Sequence, residues 1–239
     1  MEIFRKMSFA DSTGDAIPFY HEGKYHIFSL TSPPGTTVYP ERLRTTWSHS
    51  ISDDLVHWQE LPTALYPGEG DEPDASGVWT GSVIYGEGQY HAFYTGYCLT
   101  AEFQQTICHA TSDDGITWTK DITNPVITPM TELYEKLDWR DPYVFYNEED
   151  ENYWILISAR RLDMPVTRRG CIVLYRSKNL KDWTYYGPIY SPGHTNCPEC
   201  PEMYKMGGHW YLSYSRFSEF VNTIYRVSES PFGPWRKPK

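Results

Sequence analysis

The sequence repeats itself four times, and this repetition constrains the fold more than any other feature. Each repeat closes with a short polar turn followed by a tryptophan, at Trp58, Trp118, Trp183 and Trp235. These tryptophans recur roughly 50 to 65 residues apart, a period typical of propeller blades built from several short strands. We therefore expect the tryptophans to pack between successive blades, and the Ser- and Asp-rich turns before them to be Asx-type turns.

Each repeat also contains a pair of short strands joined by a tight turn. The strand after the turn is aromatic-rich or alternating, over 24–30, 89–94, 152–158 and 209–215. The strand before the turn covers 17–20, 81–85, 142–146 and 202–204. This pattern predicts antiparallel hairpins and an all-β β-propeller with four countable blades. The 239 residues suit a single domain over 1–239, with no C-terminal β-sandwich.

Composition and charge exclude several classes of partner. The formal net charge of −10 leaves no basic face for nucleic acid or for an anionic membrane. The chain shows no signal-like start and no long apolar run. Five cysteines form a sparse, odd set, and the lone C-x-x-C at 197–200 lacks the second pair of a zinc site. We predict a cytoplasmic protein with no metal and no cofactor.

Three acidic residues occupy similar places in three of the four repeats. Asp15, Asp141 and Glu199 each lie just before the first strand of a repeat or at its start, whereas the second repeat has 79–82 there without an acid. First strands line the central channel of a propeller, so we expect the three carboxylates to converge. Glycosidic cleavage needs such a cluster, with one carboxylate at the anomeric centre and a protonated one for the leaving oxygen. The structural alternative is that each acid caps a turn or pairs with an arginine.

Five further residues are candidates for substrate binding. Trp47 and Trp79 flank the expected funnel and could either stack on a sugar or pack in the core. Arg140 could orient a carboxylate, contact a hydroxyl or form a salt bridge. His49 follows a strand and favours structural hydrogen bonding over substrate contact. Ser82 could face the channel, but it lacks a base partner and is no nucleophile.

The same residues give the chain a family resemblance. Trp139–Phe145 resembles the Arg-Asp-Pro motif of glycoside hydrolase family 32, and Glu199–Pro201 resembles its Glu-Cys-Pro motif. Residues 47–58 and 79–82 are similar to other stretches of that family. The resemblance implies a five-bladed propeller, so the fifth blade is missing or incomplete in the four counted here. It also implies a retaining reaction through a covalent furanosyl intermediate.

The resemblance assigns a role to each acid. Asp141 stabilises the transition state, Glu199 is the general acid/base, and an aspartate of the first blade is the nucleophile. The family's opening motif, Trp-Met-Asn-Asp-Pro-Asn-Gly, is absent here. Counting back from the first hairpin lands on Gly14, so we assign Asp15 as the nucleophile and keep Asp11 as the second choice.

The predicted function is hydrolysis of terminal fructofuranosyl-type linkages in fructans or sucrose-like sugars. One alternative is an inverting arabinofuranosidase or xylosidase of the family 43 type, and another is a carbohydrate-binding propeller without catalysis. A minor option is phosphate binding by the arginine pairs at 160–161 and 168–169, otherwise a solvated hairpin. The predicted partner is a carbohydrate substrate. The oligomeric state stays open, with a dimer as one repair for an incomplete propeller.

Overall fold

The computed structural model describes residues 12–36, 38–216 and 221–238, and more than half of these residues lie in β-strands. Asp11, the second choice for the nucleophile, lies outside the described residues. The chain divides into two compact units, Met1–Val126 and Ile127–Lys239, which are described separately below.

The first unit contains two four-stranded antiparallel sheets whose strands follow one another in sequence order. Blade 1 is β1 (Thr13–His21), β2 (Lys24–Thr31), β3 (Thr46–Ser52) and β4 (Trp58–Leu65). Blade 2 is β5 (Gly77–Gly86), β6 (Gln89–Tyr97), β7 (Gln105–Ser112) and β8 (Thr119–Lys120). A single 3-10 turn, Glu41–Leu43, precedes β3.

The second unit contains two sheets of the same kind. Blade 3 is β9 (Tyr134–Asn147), β10 (Asn152–Arg161), β11 (Gly170–Ser177) and β12 (Thr184–Tyr190), with a 3-10 turn at Val166–Arg168. Blade 4 is β13 (Pro198–Met206), β14 (His209–Arg216) and β15 (Asn222–Ser228). A short bridge between Val227 and Arg236 adds to its outer edge. The all-β propeller class predicted from the repeat is confirmed.

The polar turns between the third and fourth strands have the predicted Asx-type geometry. In blade 1, the Ser52 hydroxyl accepts a hydrogen bond from the Leu55 amide at 2.9 Å, and Asp54 Oδ1 accepts hydrogen bonds from two further amides at 2.8 Å. Ser112 and Asp114 repeat this arrangement in blade 2. Because these bonds satisfy backbone donors locally, the turn fixes the outer hairpin of each blade.

The tryptophans that close the repeats follow the prediction only in part. Trp118, from blade 2, packs edge-on against Phe28 of blade 1 with ring centroids 5.9 Å apart. Trp235 packs against the apolar core of the second unit, and Trp183 is half-buried. The prediction is wrong for Trp58, which is 39% exposed. Its indole N–H is held by a carbonyl of its own turn, so the ring stays at the surface.

Each unit has its own apolar core. The core of the first unit is built around Phe28, Trp47 and Tyr94, and the core of the second around Trp154, Leu174 and Tyr214. The first unit also buries four histidines, in two pairs on neighbouring strands: His26, His49, His91 and His109. The histidines of the second unit, His194 and His209, are exposed. The two units therefore fill their interiors with different polar groups.

Candidate active site

The first strand of every blade carries a β-bulge at the same place. In each case two residues of the first strand face one residue of the second. The bulged pairs are Gly14–Asp15, Trp79–Thr80, Asp141–Pro142 and Cys200–Pro201. A bulge bends the strand and re-aims its side chains, which is why bulges are common beside active sites.

The three predicted acids all lie at these bulges, although at slightly different positions. Asp141 is the first residue of the bulge in blade 3, and Asp15 is the second residue of the bulge in blade 1. Glu199 immediately precedes the bulge in blade 4. Gly14 therefore occupies the position that corresponds to Asp141. The structure brings Asp141 and Glu199 together in the second unit. Convergence of Asp15, in the first unit, with these two residues stays a prediction.

A hydrogen bond between Asp141 and Cys200 connects the bulges of blades 3 and 4. Both have left-handed backbones, with φ of +56° and +47°, which costs energy for residues other than glycine. The Cys200 amide donates a 3.0 Å hydrogen bond to Asp141 Oδ2. The Asp141 side chain is thereby fixed in a site where only 6% of the residue is exposed. Such strain persists only where the surrounding structure determines it, as in a preorganised site.

Arg140 connects the two acids. Its Nη2 lies 3.0 Å from Glu199 Oε1, and its Nε lies 3.6 Å from Asp141 Oδ2. Its Nη1 donates to Asp138 Oδ1 at 2.6 Å. Asp138 was missed in the sequence, because it belongs to no motif and its place beside Arg140 depends on the bend of the bulged strand. Of the roles weighed for Arg140, the structure shows the carboxylate contacts; a contact with substrate stays a prediction.

The environment of Asp15 is different. Asp15 is exposed on β1, and the Thr80 hydroxyl donates a hydrogen bond to its Oδ2. Thr80 is 8% exposed and belongs to the bulge of blade 2, the blade whose first strand has no acid at this position. Blade 2 therefore contributes a neutral donor to the acid of blade 1. No sequence motif marks this contact, because it depends on how blades 1 and 2 pack against each other.

Three of the candidates for substrate binding are buried, as the core-packing alternative for Trp47 and the favoured structural role for His49 predict. Trp47 is fully buried, and its indole N–H donates to the Trp79 carbonyl at 3.0 Å. His49 is also fully buried and bonds to His26 at 2.9 Å; burial, and then the charge of His26, lower its pKa to about 3. Ser82 is 5% exposed on β5. Core packing removes the surface that contact with a ligand would need.

Trp79 keeps the option of contacting a sugar. Its ring is half-buried and stacks on Tyr97 at 4.1 Å, and its indole N–H donates to the Leu43 carbonyl at 3.0 Å. The ring is therefore held in place by both its face and its edge. Stacking of a sugar on the part that remains exposed stays a prediction.

A cleft of about 760 Å³ lies in the second unit, near the strand that carries Glu199. It is lined by Arg160, Val166, Thr167, Arg168, Gly193, His194 and Asn196. Arg168 and His194 are exposed, and Asn196 is three residues before Glu199. The cleft thus joins the arginine-bearing hairpin between β10 and β11 to the start of β13.

The cysteines do not add a further chemical site. All five are free, and burial raises the pKa of the Cys197 thiol, beside Arg140, to about 12. The described ranges contain no group of three or more His, Cys, Asp or Glu side chains suited to a metal ion. Nor do these ranges contain a helix with the length and apolar character for crossing a membrane. The cytoplasmic location stays a prediction.

The bulged acids and the repeated blades define a class of protein, and comparison with known sequences identifies it. Residues 15–230 match the N-terminal domain of glycosyl hydrolases family 32, so the chain belongs to that family. The matched segment contains Asp15, Asp141 and Glu199. The resemblance inferred from the Arg-Asp-Pro and Glu-Cys-Pro motifs is confirmed.

Individual relatives agree with this assignment. The chain is 33% identical to a levanase of Bacillus subtilis (strain 168) over 78% of its length, and 30% identical to a sucrose-6-phosphate hydrolase of Escherichia coli over 80%. It covers 26% and 38% of those proteins. The structure of an exo-inulinase from Aspergillus awamori is similar, with a TM-score of 0.74, 27% identity, and coverage of 94% of this chain and 49% of that one. The chain thus spans about a quarter to a half of the length of these relatives.

Proposed function

We propose that the protein is a retaining glycoside hydrolase that removes terminal fructofuranosyl units from fructans or sucrose-like sugars. The observation that carries the proposal is the contact of Glu199 and Asp141 through Arg140, on bulged first strands of neighbouring blades. Membership of family 32 supports it, as do the names of the relatives, a levanase and an exo-inulinase.

Each acid suits its proposed role in its own surroundings. Asp15, exposed and bonded to a neutral hydroxyl, has what an ionised nucleophile needs to attack the anomeric carbon. Glu199, with 31% of its side chain exposed, is accessible for donating a proton to the leaving oxygen and later taking one from water. Asp141, fixed by the Cys200 amide, suits hydrogen bonding to ring hydroxyls as charge develops.

The test is a panel of sucrose, inulin and levan, read by released fructose and by the anomer that NMR detects first. We expect release of fructose with retained configuration. Glu199→Gln should lower kcat/KM by about 10³-fold, within the range for loss of a general acid/base. The matched control is Glu202→Gln, the same change three residues along β13, which should leave activity within about threefold of the unmodified protein.

The two alternatives give different results in the same panel. An inverting enzyme of the family 43 type would release the opposite anomer and act on arabinofuranosides or xylosides. A binding propeller would release no sugar, and Asp15→Asn and Glu199→Gln would leave its affinity for fructans unchanged. Either result would overturn the proposed reaction.

A second candidate, hydrolysis of a phosphorylated disaccharide, is favoured by the cleft beside β13. Arg168 and His194 are exposed at its lining in a chain of net charge −10, and one relative is a sucrose-6-phosphate hydrolase. If phosphate binds there, Arg168→Ala should raise KM for sucrose 6-phosphate about tenfold and leave KM for sucrose unchanged. Lys181→Ala, which removes an exposed cation elsewhere in the unit, is the control. Equal KM values for both sugars in the unmodified protein would exclude this candidate.

A further inference from the structure

The first unit contains a buried carboxylate that has no part in the proposed reaction. Asp74, in the loop between β4 and β5, is 1% exposed. Its Oδ1 accepts a 3.1 Å hydrogen bond from the Gly68 amide of the same loop. Its Oδ2 accepts a 2.8 Å hydrogen bond from the Tyr94 hydroxyl on β6 and lies 2.6 Å from the Lys120 ammonium on β8. Because a buried carboxylate is costly without such partners, these contacts hold the loop at one place on blade 2.

Two glycines show how closely this loop and the start of β5 are packed. A Cβ atom on Gly96 would lie 2.9 Å from the Pro73 carbonyl oxygen and 2.5 Å from Cys108 Sγ. A Cβ atom on Gly77, the first residue of β5, would overlap the Leu43 carbonyl oxygen. Only glycine allows backbone to approach so closely at these two places. The loop and the start of β5 are therefore fixed by close packing as well as by the buried carboxylate.

Backbone hydrogen bonds connect the loop to the first residues of β5. The Asp74 carbonyl accepts a 3.0 Å hydrogen bond from the Gly77 amide. The next residue, Val78, donates its amide to the Thr45 carbonyl at 3.0 Å and accepts a hydrogen bond from the Thr45 hydroxyl at 2.6 Å. The first two residues of β5 are thus held by the loop on one side and by the segment before β3 on the other.

The bulge that contacts Asp15 follows directly along β5. Trp79 and Thr80 are the bulged pair of blade 2. The Trp79 indole N–H donates to the Leu43 carbonyl at 3.0 Å, which fixes the first residue of the pair. The Thr80 hydroxyl donates to Asp15 Oδ2. The position of this hydroxyl therefore depends on the backbone that Asp74 and its partners hold.

We propose that Asp74 is a positioning residue for Asp15, because it fixes the start of β5 so that the Thr80 hydroxyl points at the nucleophile. Asp74 is buried, so it acts through Thr80 and not on the sugar. A small displacement of a group beside the reacting atoms is enough to lower a rate many-fold. The inference rests on the proposed function, in which Asp15 attacks the anomeric carbon, and it adds a residue outside the three acids.

The first test is Asp74→Asn, which keeps the size of the side chain. One accepting oxygen becomes an amide nitrogen, so one of the three donors to Asp74 loses its acceptor. We expect kcat to fall by about three- to tenfold, up to the cost of one hydrogen bond to a charged group, and KM to change by less than about twofold. Asp71→Asn, an exposed aspartate of the same loop, is the control and should retain full kcat. A higher KM with kcat unchanged would overturn the proposal, because the loop would then bind substrate.

A milder variant covers the case in which Asp74→Asn does not fold. Tyr94→Phe removes one of the hydrogen bonds to Asp74 and leaves the carboxylate in place. It should lower kcat in the same way by a smaller factor, again with KM unchanged. Full kcat in Tyr94→Phe together with full kcat in Asp74→Asn would show that Asp74 positions nothing in the reaction.

A double-mutant cycle separates positioning from a general loss of stability. If Asp74 acts through Thr80, Asp74→Asn should lower kcat by less than about twofold once Thr80→Val has removed the hydroxyl. A structural role predicts the same loss in both backgrounds, since fewer folded molecules affect every variant equally. Additive effects would therefore overturn the proposal.

The χ1 angle of Thr80, read by NMR from three-bond couplings to its methyl carbon, needs no activity. The unmodified protein and Asp71→Asn should show one rotamer, because the hydroxyl is held on Asp15. Asp74→Asn should show averaging between rotamers, and couplings that stay unchanged would overturn the proposal whatever the activity. Averaged couplings without any fructose release by the unmodified protein would confirm that Asp74 positions Thr80 and would count against the proposed function alone.

Discussion

Blades 1, 3 and 4 each place an acid at or beside a β-bulge, but the partners of these acids differ in charge. Asp15 is exposed and has a neutral partner, the Thr80 hydroxyl. Asp141 and Glu199 both lie beside the guanidinium group of Arg140, at 3.6 Å and 3.0 Å. The acid of the first unit therefore has a neutral hydroxyl as donor, and the acids of the second unit have a charged one.

The interiors of the two units differ in the same way. The first unit buries His26 beside His49, and burial lowers the pKa of both imidazoles, so this pair is stable only while neutral. The second unit buries arginines and carboxylates that compensate one another, with Arg140 and Arg160 each 13% exposed. A fall in pH therefore destabilises the first unit, because a buried neutral histidine binds a proton more readily once the unit unfolds.

The largest expected effect comes from removing the acid of the first unit. Asp15→Asn keeps the size and the hydrogen bond to Thr80 but cannot form a covalent intermediate, so kcat/KM should fall by at least about 10³-fold. Fructose release by each variant measures this loss. Asp53→Asn, an exposed aspartate of the same unit, is the control and should retain full activity.

The one-residue offset of Asp15 from the Asp141 position makes this prediction easy to break. If Asp15→Asn retains activity and Asp11→Asn abolishes it, the nucleophile is Asp11, and blade 1 does not use its bulge as the other blades do. If both variants stay active while Glu199→Gln is inactive, the covalent mechanism itself is wrong.

The second effect concerns stability and follows from the buried histidines. The pKa of His49 falls to about 3 in the folded protein, mainly through burial, from an ordinary value near 6.5. The unfolded chain binds this proton more readily than the folded protein does. The free energy of unfolding is therefore unaffected by His49 above pH 6.5, and it decreases as the pH falls from 6.5 toward 3. At pH 5 the loss is about 2 kcal/mol for this one residue.

Hydrogen exchange, corrected for its intrinsic pH dependence, checks this difference between the units. Between pH 7 and pH 5, protection of β2 and β3 should fall, while protection of β10 and β11 changes little. His49→Gln should flatten the fall in β2 and β3, even though it lowers stability at pH 7. His209→Asn, an exposed histidine of the second unit, should not alter it. An equal loss of protection in both units would contradict the comparison.

The repeat made the fold predictable from the sequence, but it did not resolve the surroundings of each site residue. Strand pairs, Asx turns and the places of Asp15, Asp141 and Glu199 follow from spacing, because a blade reuses one local pattern. Trp47 and His49 lie on β3 and Ser82 lies on β5, and only tertiary packing decides that they are buried. Asp138 and Thr80 were missed for the converse reason: each contacts a site residue, and neither belongs to a sequence motif.

The smallest expected effect on kcat/KM comes from removing the Thr80 hydroxyl that donates to Asp15. Thr80→Val removes the hydroxyl that donates to Asp15 Oδ2, so kcat/KM should fall about tenfold, the cost of one hydrogen bond to a charged group. Thr80→Ser keeps the hydroxyl and should retain the rate. If Thr80→Val costs as much as Asp15→Asn, Asp15 depends on its protein surroundings as strongly as Glu199 does, and the contrast between the two sites disappears.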